Sequence, residues 1–241
     1  MSMGFPIEEL EKRIGYSFQN KNLLKQALTH SSYANEQKIR KNGDYERLEF
    51  LGDAVLEMVT SEFLYREYPD TPEGKLTKMR SSMVCEPALA YCARELELEK
   101  YLFLGKGEEN TGGRKRESII SDVMEAVIGA IYLDGGLKAA RNHIETVILS
   151  DMDHKKLFYD SKTVLQEMIQ KKQGQMLEYR LIHESGPDHD KLFRVQAVLN
   201  GSVVGTGEGR TKKAAQQQAA YEVILLLRQQ EREEAYVSKK Y

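Results

Sequence analysis

Apolar positions recur every three to four residues through the first 150 positions, then every second position over one stretch near the C-terminus. The first pattern predicts helices and the second predicts strands. "IEELEKRIGY" and "NKNLLKQALTH" are amphipathic at helical spacing, with Asn20 or Asn22 placed to cap the second. Residues 46–68 read as one long, mostly apolar helix, ended by the breaker cluster "PDTPEG". Further helices are expected over Lys75–Met83 and Glu86–Leu96. The Gly-rich polar stretch "GKGEENTGGRKRES" reads as a loop, followed by an apolar helix over Ile119–Leu133 that stops at "DGG". A last helix runs from about Leu137 to Ser150. No strand is expected in this half.

The polar segment "SDMDHKKLFYDS" reads as a linker. Beyond it, "KTVLQEMIQKK" is helical, with Val164, Leu165, Met168 and Ile169 on one side. "KLFRVQAVLNGSVVGTGEG" alternates, sending Phe193, Val195, Ala197 and Leu199 one way and Arg194 and Gln196 the other. Asn200–Gly201 is a two-residue hairpin signal. With "LEYRLIHESG" as an earlier strand and a final helix over about Lys212–Gln229, the order is α-β-β-β-α. The chain therefore divides into an all-α domain over 1–150, a linker over 151–159, an α+β domain over 160–229 and a polar tail over 230–241.

Composition narrows the class without naming a function. At 241 residues, 41% hydrophobic and 30% charged, the chain can build one or two ordinary cores. No run approaches the roughly 18 apolar residues of a membrane span, and "MSMGFPIEELEKR" lacks the regions of a secretory signal. Cys85 and Cys92 fit neither a disulfide framework nor a zinc finger, which implies a reducing, cytoplasmic setting. The net charge of −2 divides unevenly: residues 1–159 sum to −4 and residues 160–229 to +2.

The candidate chemistry lies in "ERLEFLGDAVLEMV". At about 100° per residue, with Glu46 at zero, Glu49 falls near −60°, Asp53 near −20° and Glu57 near +20°. Four carboxylates thus share one face of an otherwise apolar helix, where like charges repel and raise each other's pKa. Asp122 and Glu125, three apart amid Ile119, Ile120, Val123, Val127 and Ile128, form a second acidic face. Both could be solvated faces of amphipathic helices. If they meet, five or six hard oxygen donors converge, a set suited to magnesium or manganese and to phosphodiester hydrolysis.

These residues carry a family resemblance. "ERLEFLGDAVLEMV" resembles the signature of the ribonuclease III family, and "SIISDVMEAVIGAIYLDGG" its second acidic helix. "LTHSSYANE", "GKGEENTGG" and the domain that follows fit too, so the resemblance spans nearly the whole chain. It implies an all-α endonuclease domain plus an α+β double-stranded-RNA-binding domain. The activity it implies is hydrolysis of double-stranded RNA by a magnesium-dependent, metal-bound-water mechanism, for which manganese could substitute, with no organic cofactor and no membrane. The catalytic acids fall on Glu49, Asp53, Asp122 and Glu125. Glu125 and Glu49 are direct ligands, Asp53 and Asp122 complete the site, Glu46 lies at its edge, and Glu57 has no counterpart. Glu73 matches an acidic position near the dimer-related cleft. The resemblance also implies a homodimer, with Phe50 inserting into the partner; on physics alone Phe50 is equally a core residue. Arg114, Lys115 and Arg116 could contact phosphate or simply be solvated.

The α-β-β-β-α order, with "TKKAAQQQAA" opening its last helix, resembles a double-stranded-RNA-binding domain. Thr211 is a plausible N-cap, placing Lys212 and Lys213 in the first turn, where the helix dipole favours phosphate. Ala214, Ala215, Ala219 and Ala220 are small enough for close packing on the sheet. Such domains read A-form shape across two minor grooves and the intervening phosphates. The resemblance assigns Thr163, Gln166, Glu167 and Gln170 to one minor groove, His189 to the other, and Lys212 and Lys213 to phosphates. Gln216 stands where many such domains carry a third lysine. The implied products are staggered ends with 5′-phosphates, 3′-hydroxyls and short 3′ overhangs. The implied roles are ribosomal RNA precursor processing and messenger RNA processing or decay. Two other readings stay open: a non-catalytic double-stranded-RNA-binding scaffold of the same architecture, and a different metal-dependent phosphohydrolase.

Overall fold

Helical periodicity in the first half becomes eleven helical segments among the described residues of the computed structural model, which describes residues 7–39, 42–150, 160–171, 174–186, 191–209 and 211–238, with side chains of the last helix described to 229. The chain forms two compact units, Met1–Met152 and Asp153–Tyr241. The stretch read as a linker, 151–159, lies outside the described residues, as do His189 and the last three positions of the tail.

In the first unit, α1 (Ile7–Ile14) leads to α2 (Lys21–Ala27), α3 (Ser31–Glu36), α4 (Glu46–Glu67), α5 (Glu73–Met83) and α6 (Glu86–Glu95). Asn20 caps α2, its side chain accepting from the Asn22 amide at 3.1 Å. A 3-10 turn (Leu98–Tyr101), α7 (Lys106–Asn110) and a second 3-10 turn (Gly113–Lys115) precede α8 (Glu117–His143), and a π turn (Ile144–Ile148) follows. One expectation is corrected here. The Gly-rich stretch read as a loop contains α7 and a 3-10 turn. Its arginines fold back on it, Arg114 pairing with Glu109 and Arg116 with Glu108, which orders the backbone. The break expected at "DGG" is present: Gly136, at φ 74° and ψ −176°, leaves helical geometry, and the chain resumes as a helix beyond it, so that α8 is two helical stretches joined at a kink.

That kink is held locally. Asp134 accepts from the amides of Gln19 (2.7 Å) and Asn20 (2.8 Å) and from the Tyr16 hydroxyl (2.9 Å), tying the α1–α2 connection to α8. At the far end of α8, buried His143 donates Nδ1–H to the Ile14 carbonyl at 2.9 Å. Burial pushes its pKa down to about 4, so the ring is neutral.

The apolar faces of α4 and α8 form the middle of the core. Leu48, Val55, Leu56 and Val59 pack with Ile120, Val123, Met124, Val127 and Ile128. Contacts between the two segments join Tyr45 with Asp122, Gly52 with Glu125 and Gly129, and Glu62 with Arg141. The closest approach of the two helices is at Leu48 and Gly52 against Glu125 and Gly129. A Cβ on Gly52 would lie 1.8 Å from the Glu125 carbonyl oxygen, and one on Gly129 2.2 Å from that of Leu48. Only glycine permits this approach.

The second unit contains α9 (Ser161–Gln170), strands β1 (Leu177–Ser185), β2 (Leu192–Leu199) and β3 (Ser202–Gly209), and α10 (Lys212–Ser238). The sheet is antiparallel in the order β1-β2-β3, with Leu181 opposite Val195 and Ala197 opposite Gly205. Asn200 and Gly201 both take positive φ (50° and 83°), as the type I′ turn between β2 and β3 requires. Leu165 and Ile169 of α9 pack on Ala219, Ala220, Val223 and Ile224 of α10. Of the four alanines expected against the sheet, Ala215, Ala219 and Ala220 are buried, whereas Ala214 stays exposed in the first turn.

Candidate active site and nucleic-acid interface

The α4–α8 contact brings the two acidic faces together, because their glycine crossing lies within one turn of Glu49, Asp53 and Glu125. The electrostatics show the convergence. Burial, reinforced by Asp122, Glu46 and Asp53, pushes Glu49 up to about 7. Burial, followed by Asp53, Glu49, Asp122 and Glu57, pushes Glu125 up to about 8. Asp122 is also raised, by burial and then by Glu86, against the opposing pull of the Tyr45 hydroxyl. Four carboxylates from two helices thus act on one another in a half-buried cleft, where the effective dielectric is below that of water.

Among the described residues, no three carboxylate, imidazole or thiol side chains are drawn close enough together to enclose an ion. The donor chemistry nevertheless fits a hard divalent cation. The acids that converge there are hard oxygen donors, and their pKa values are raised first by burial and then by one another, both of which a cation would offset. Glu49, Asp53, Asp122 and Glu125 could hold such an ion.

Three neighbours carry no signal in the sequence pattern. Tyr45, just ahead of α4, is buried, and its hydroxyl donates to Asp122 Oδ2 at 3.5 Å. Its amide donates to the Thr29 carbonyl and its carbonyl accepts from the Leu48 and Glu49 amides, so it also fixes where α4 begins. Arg80 of α5 pairs with Glu57 at 2.7 Å and donates to Ser61 Oγ at 2.9 Å. Glu57 therefore faces Glu125 on one side and a guanidinium on the other. Glu86, at the start of α6, acts on Asp122 from a third direction. Gly52 did carry a signal: a glycine inside an apolar helix costs about 1 kcal/mol and calls for a packing reason.

Other predicted positions lie elsewhere. Glu46 is among the charges acting on Glu49. Glu73 opens α5, where it is exposed and accepts from the Thr77 hydroxyl at 2.8 Å. It is not among the charges that shift Glu49, Asp122 or Glu125. Phe50 is 80% exposed, which rules out the core reading within one chain.

In the second unit, Thr163, Gln166, Glu167 and Gln170 are all exposed on α9. Thr211 Oγ1 accepts from the Ala214 amide at 3.0 Å and so caps α10. Lys212 and Lys213 stand exposed in its first turn. Lys212 lies 5.7 Å above the Phe193 ring and 3.9 Å from Glu184, which also binds Lys191. A Cβ on Gly207 would come within 2.3 Å of the Ala219 amide, so β3 and this helix approach backbone to backbone.

Comparison with known proteins follows the same division. A Ribonuclease-III-like family model matches residues 20–152, and a double-stranded RNA binding motif matches residues 161–227. A protein of Enterococcus faecalis named Ribonuclease 3 is 50% identical over 209 residues, covering 86% of this chain and 91% of its own. One of the same name from Listeria welshimeri is 48% identical, covering 86% and 92%. Among solved structures, the nuclease domain of ribonuclease III from Campylobacter jejuni is 41% identical with a TM-score of 0.56. It covers 61% of this chain and 99% of that one, and its description concerns flexibility in a region involved in dimer formation.

Proposed function

The chain belongs to the ribonuclease III family and is an endoribonuclease specific for double-stranded RNA, and from that premise we propose how its residues divide the work. The carrying observation is the glycine-mediated crossing that sets Glu49 and Asp53 of α4 against Asp122 and Glu125 of α8. These four are the metal-binding acids, Glu46 borders them, and the ion is magnesium, with manganese able to substitute. Bound there, the ion supplies Lewis acidity toward a phosphoryl oxygen and acidifies water at neutral pH. The chain's own contribution is orientation. The α4–α8 crossing fixes the spacing of the acids, the Tyr45 hydroxyl steadies Asp122 at Oδ2, and Arg80 holds Glu57 aside. Asp53 and Glu125 stand closest to the chemistry in this reading.

The second unit recognises the duplex. Thr163, Gln166, Glu167 and Gln170 face one minor groove, His189 the next, and Lys212 and Lys213 the phosphates between. The products are 5′-phosphate and 3′-hydroxyl ends with short 3′ overhangs. The setting is the cytoplasm, with ribosomal precursors and messenger RNAs as targets. No helix among the described residues is long and apolar enough to cross a membrane.

Staggered cutting calls for two copies, and α4 offers the surface. On the angular scale that places the acids between about −60° and +20°, Phe50, Ala54, Met58 and Tyr65 fall between about 40° and 120°. All four are exposed, Phe50 at 80% and Tyr65 at 76%. An apolar stripe of this kind marks an interaction surface, and it borders the acids. We assign it to a homodimer in which Phe50 enters the partner. Phe50→Glu should shift the sedimenting species to monomer.

The decisive test is Glu125→Gln. A long RNA duplex incubated with magnesium should be cut by the wild type into short products and left intact by the variant, while binding without metal is unchanged. Loss of several kcal/mol of transition-state stabilisation corresponds to a rate drop of about a thousandfold. Cleavage by the variant at the wild-type rate would overturn the metal assignment.

A further inference from the structure

We propose that Lys162 of α9 is a third phosphate-binding residue of the RNA-binding unit, presented beside Lys212 and Lys213 by Gln216. Its ammonium donates to Gln216 Oε1 at 2.8 Å and lies 5.3 Å above the Tyr179 ring centroid. Its backbone amide donates to Gln217 Oε1 at 2.8 Å, so the start of α9 is fastened to the second turn of α10 at two adjacent positions. With Lys212 at zero, Gln216 falls near 40° and Lys213 near 100° around α10. Gln216 therefore sits one turn behind the two lysines, on the face between them, and brings the Lys162 charge to that face from another helix.

Charge balance points to an anion. Among the described residues of this unit, the other cations in ion pairs have carboxylate partners: Lys191 and Lys212 with Glu184, Arg194 with Glu208, Arg180 with Glu178. The partners of Lys162 are an amide oxygen and a ring face, both neutral. It is half-buried and bonded to a side chain one turn along the helix from Lys212 and Lys213. Lys162 brings to this face a charge that neither of these partners offsets, and an anion there would offset it. An ammonium has three donors, and Gln216 takes one, leaving two for phosphate oxygens. The neighbouring Thr163 is exposed on the same helix. Lys162 therefore joins the minor-groove strip of α9 to the phosphate strip of α10. The ligand is the backbone of an A-form duplex, which presents phosphates between successive minor grooves.

The inference rests on reading Lys212 and Lys213 as phosphate contacts, and the test separates the two. The full chain is titrated against a 30-base-pair RNA duplex without divalent metal, by fluorescence anisotropy, across a salt series. Each lost phosphate contact should lower the slope of log affinity against log salt by ~0.9. Lys162→Gln should show that loss and bind about fivefold more weakly at 0.15 M salt. Gln216→Lys placed in the Lys162→Gln background should restore the slope. Lys162→Met keeps the apolar stem over Tyr179 and replaces Lys162→Gln if the latter fails to fold. A wild-type slope in the charge-removing variant, alongside a reduced slope in Lys213→Gln, would overturn the role of Lys162 alone. Wild-type slopes in both would overturn the phosphate reading of the whole face.

Discussion

The α4–α8 contact of the nuclease unit and the β3–α10 contact of the RNA-binding unit use the same packing device for opposite electrostatic ends. In each, glycine lets two backbones approach more closely than any side chain allows: Gly52 and Gly129 in the first, Gly205, Gly207 and Gly209 in the second. In the nuclease unit the approach draws carboxylates together in a half-buried cleft, where burial and then one another's charge raise their pKa. In the RNA-binding unit it seats a helix whose first turn carries exposed lysines. Close packing therefore does not by itself decide what a surface binds. That depends on which charged residues lie within a turn of the glycine contact, and on whether they face each other or the solvent.

The comparison can be broken at its glycines. Gly52→Ala places a methyl group 1.8 Å from a backbone oxygen that cannot rotate away, and Gly207→Ala places one 2.3 Å from a backbone nitrogen. Each should lose ~3 kcal/mol of stability in its own unit, the upper end of ordinary overpacking. Chemical unfolding of the full chain measures both. The functional consequences should differ: Gly52→Ala loses cleavage at temperatures where the protein remains folded and bound to RNA, whereas Gly207→Ala weakens binding first. If Gly52→Ala cleaved at the wild-type rate, the crossing would not be what spaces the acids.

A smaller effect separates the units by pH. The folded-state pKa of Glu125, about 8, lies above its ordinary 4.5. The unfolded chain therefore releases its proton first, and stability falls as pH rises from 4.5 toward 8. Without metal, Glu125→Gln should accordingly be more stable than wild type at pH 8, by ~1 to 2 kcal/mol after allowance for solvent screening of an open cleft. The difference should vanish below pH 4.5. His143, neutral when folded, contributes an opposite trend as pH falls below 6.5, but equally in both proteins, so it cancels from the difference. Magnesium should raise the melting temperature of the wild type more than that of the variant. A variant less stable than wild type at pH 8 would show that Glu125 is not under repulsion.

The smallest expected effect is at Tyr45. Removing its hydroxyl in Tyr45→Phe leaves the packing and takes one donor from Asp122. A loss of ~1 kcal/mol, or roughly fivefold in metal affinity, is expected. Calorimetric titration of magnesium into the RNA-free protein reads it directly. Unchanged affinity would reduce Tyr45 to an anchor for the start of α4.

Much of this was legible in the chain itself. The acidic face of α4, the pairing of Asp122 with Glu125, the Asn20 and Thr211 caps and the Asn200–Gly201 turn all depend on successive residues no more than four positions apart. The geometry of a single helix or turn determines such relationships. The break at "DGG" was legible too, because Gly136 alone takes the positive φ that interrupts the helix. The same local reasoning misplaced one feature: it left the Gly-rich stretch as loop, because its order comes from Arg114 and Arg116 pairing within the segment.

What only the tertiary structure decided is which charges meet. Helical periodicity fixes the face an acid occupies but not where a neighbouring helix crosses it. Had α4 and α8 met elsewhere than at Gly52 and Gly129, the same two acidic faces would not converge. Tyr45 reaches Asp122 across 77 positions and Lys162 reaches Gln216 across 54. Neither separation leaves a periodic trace, because the energy of each contact depends on burial and distance in the folded chain and not on spacing along it.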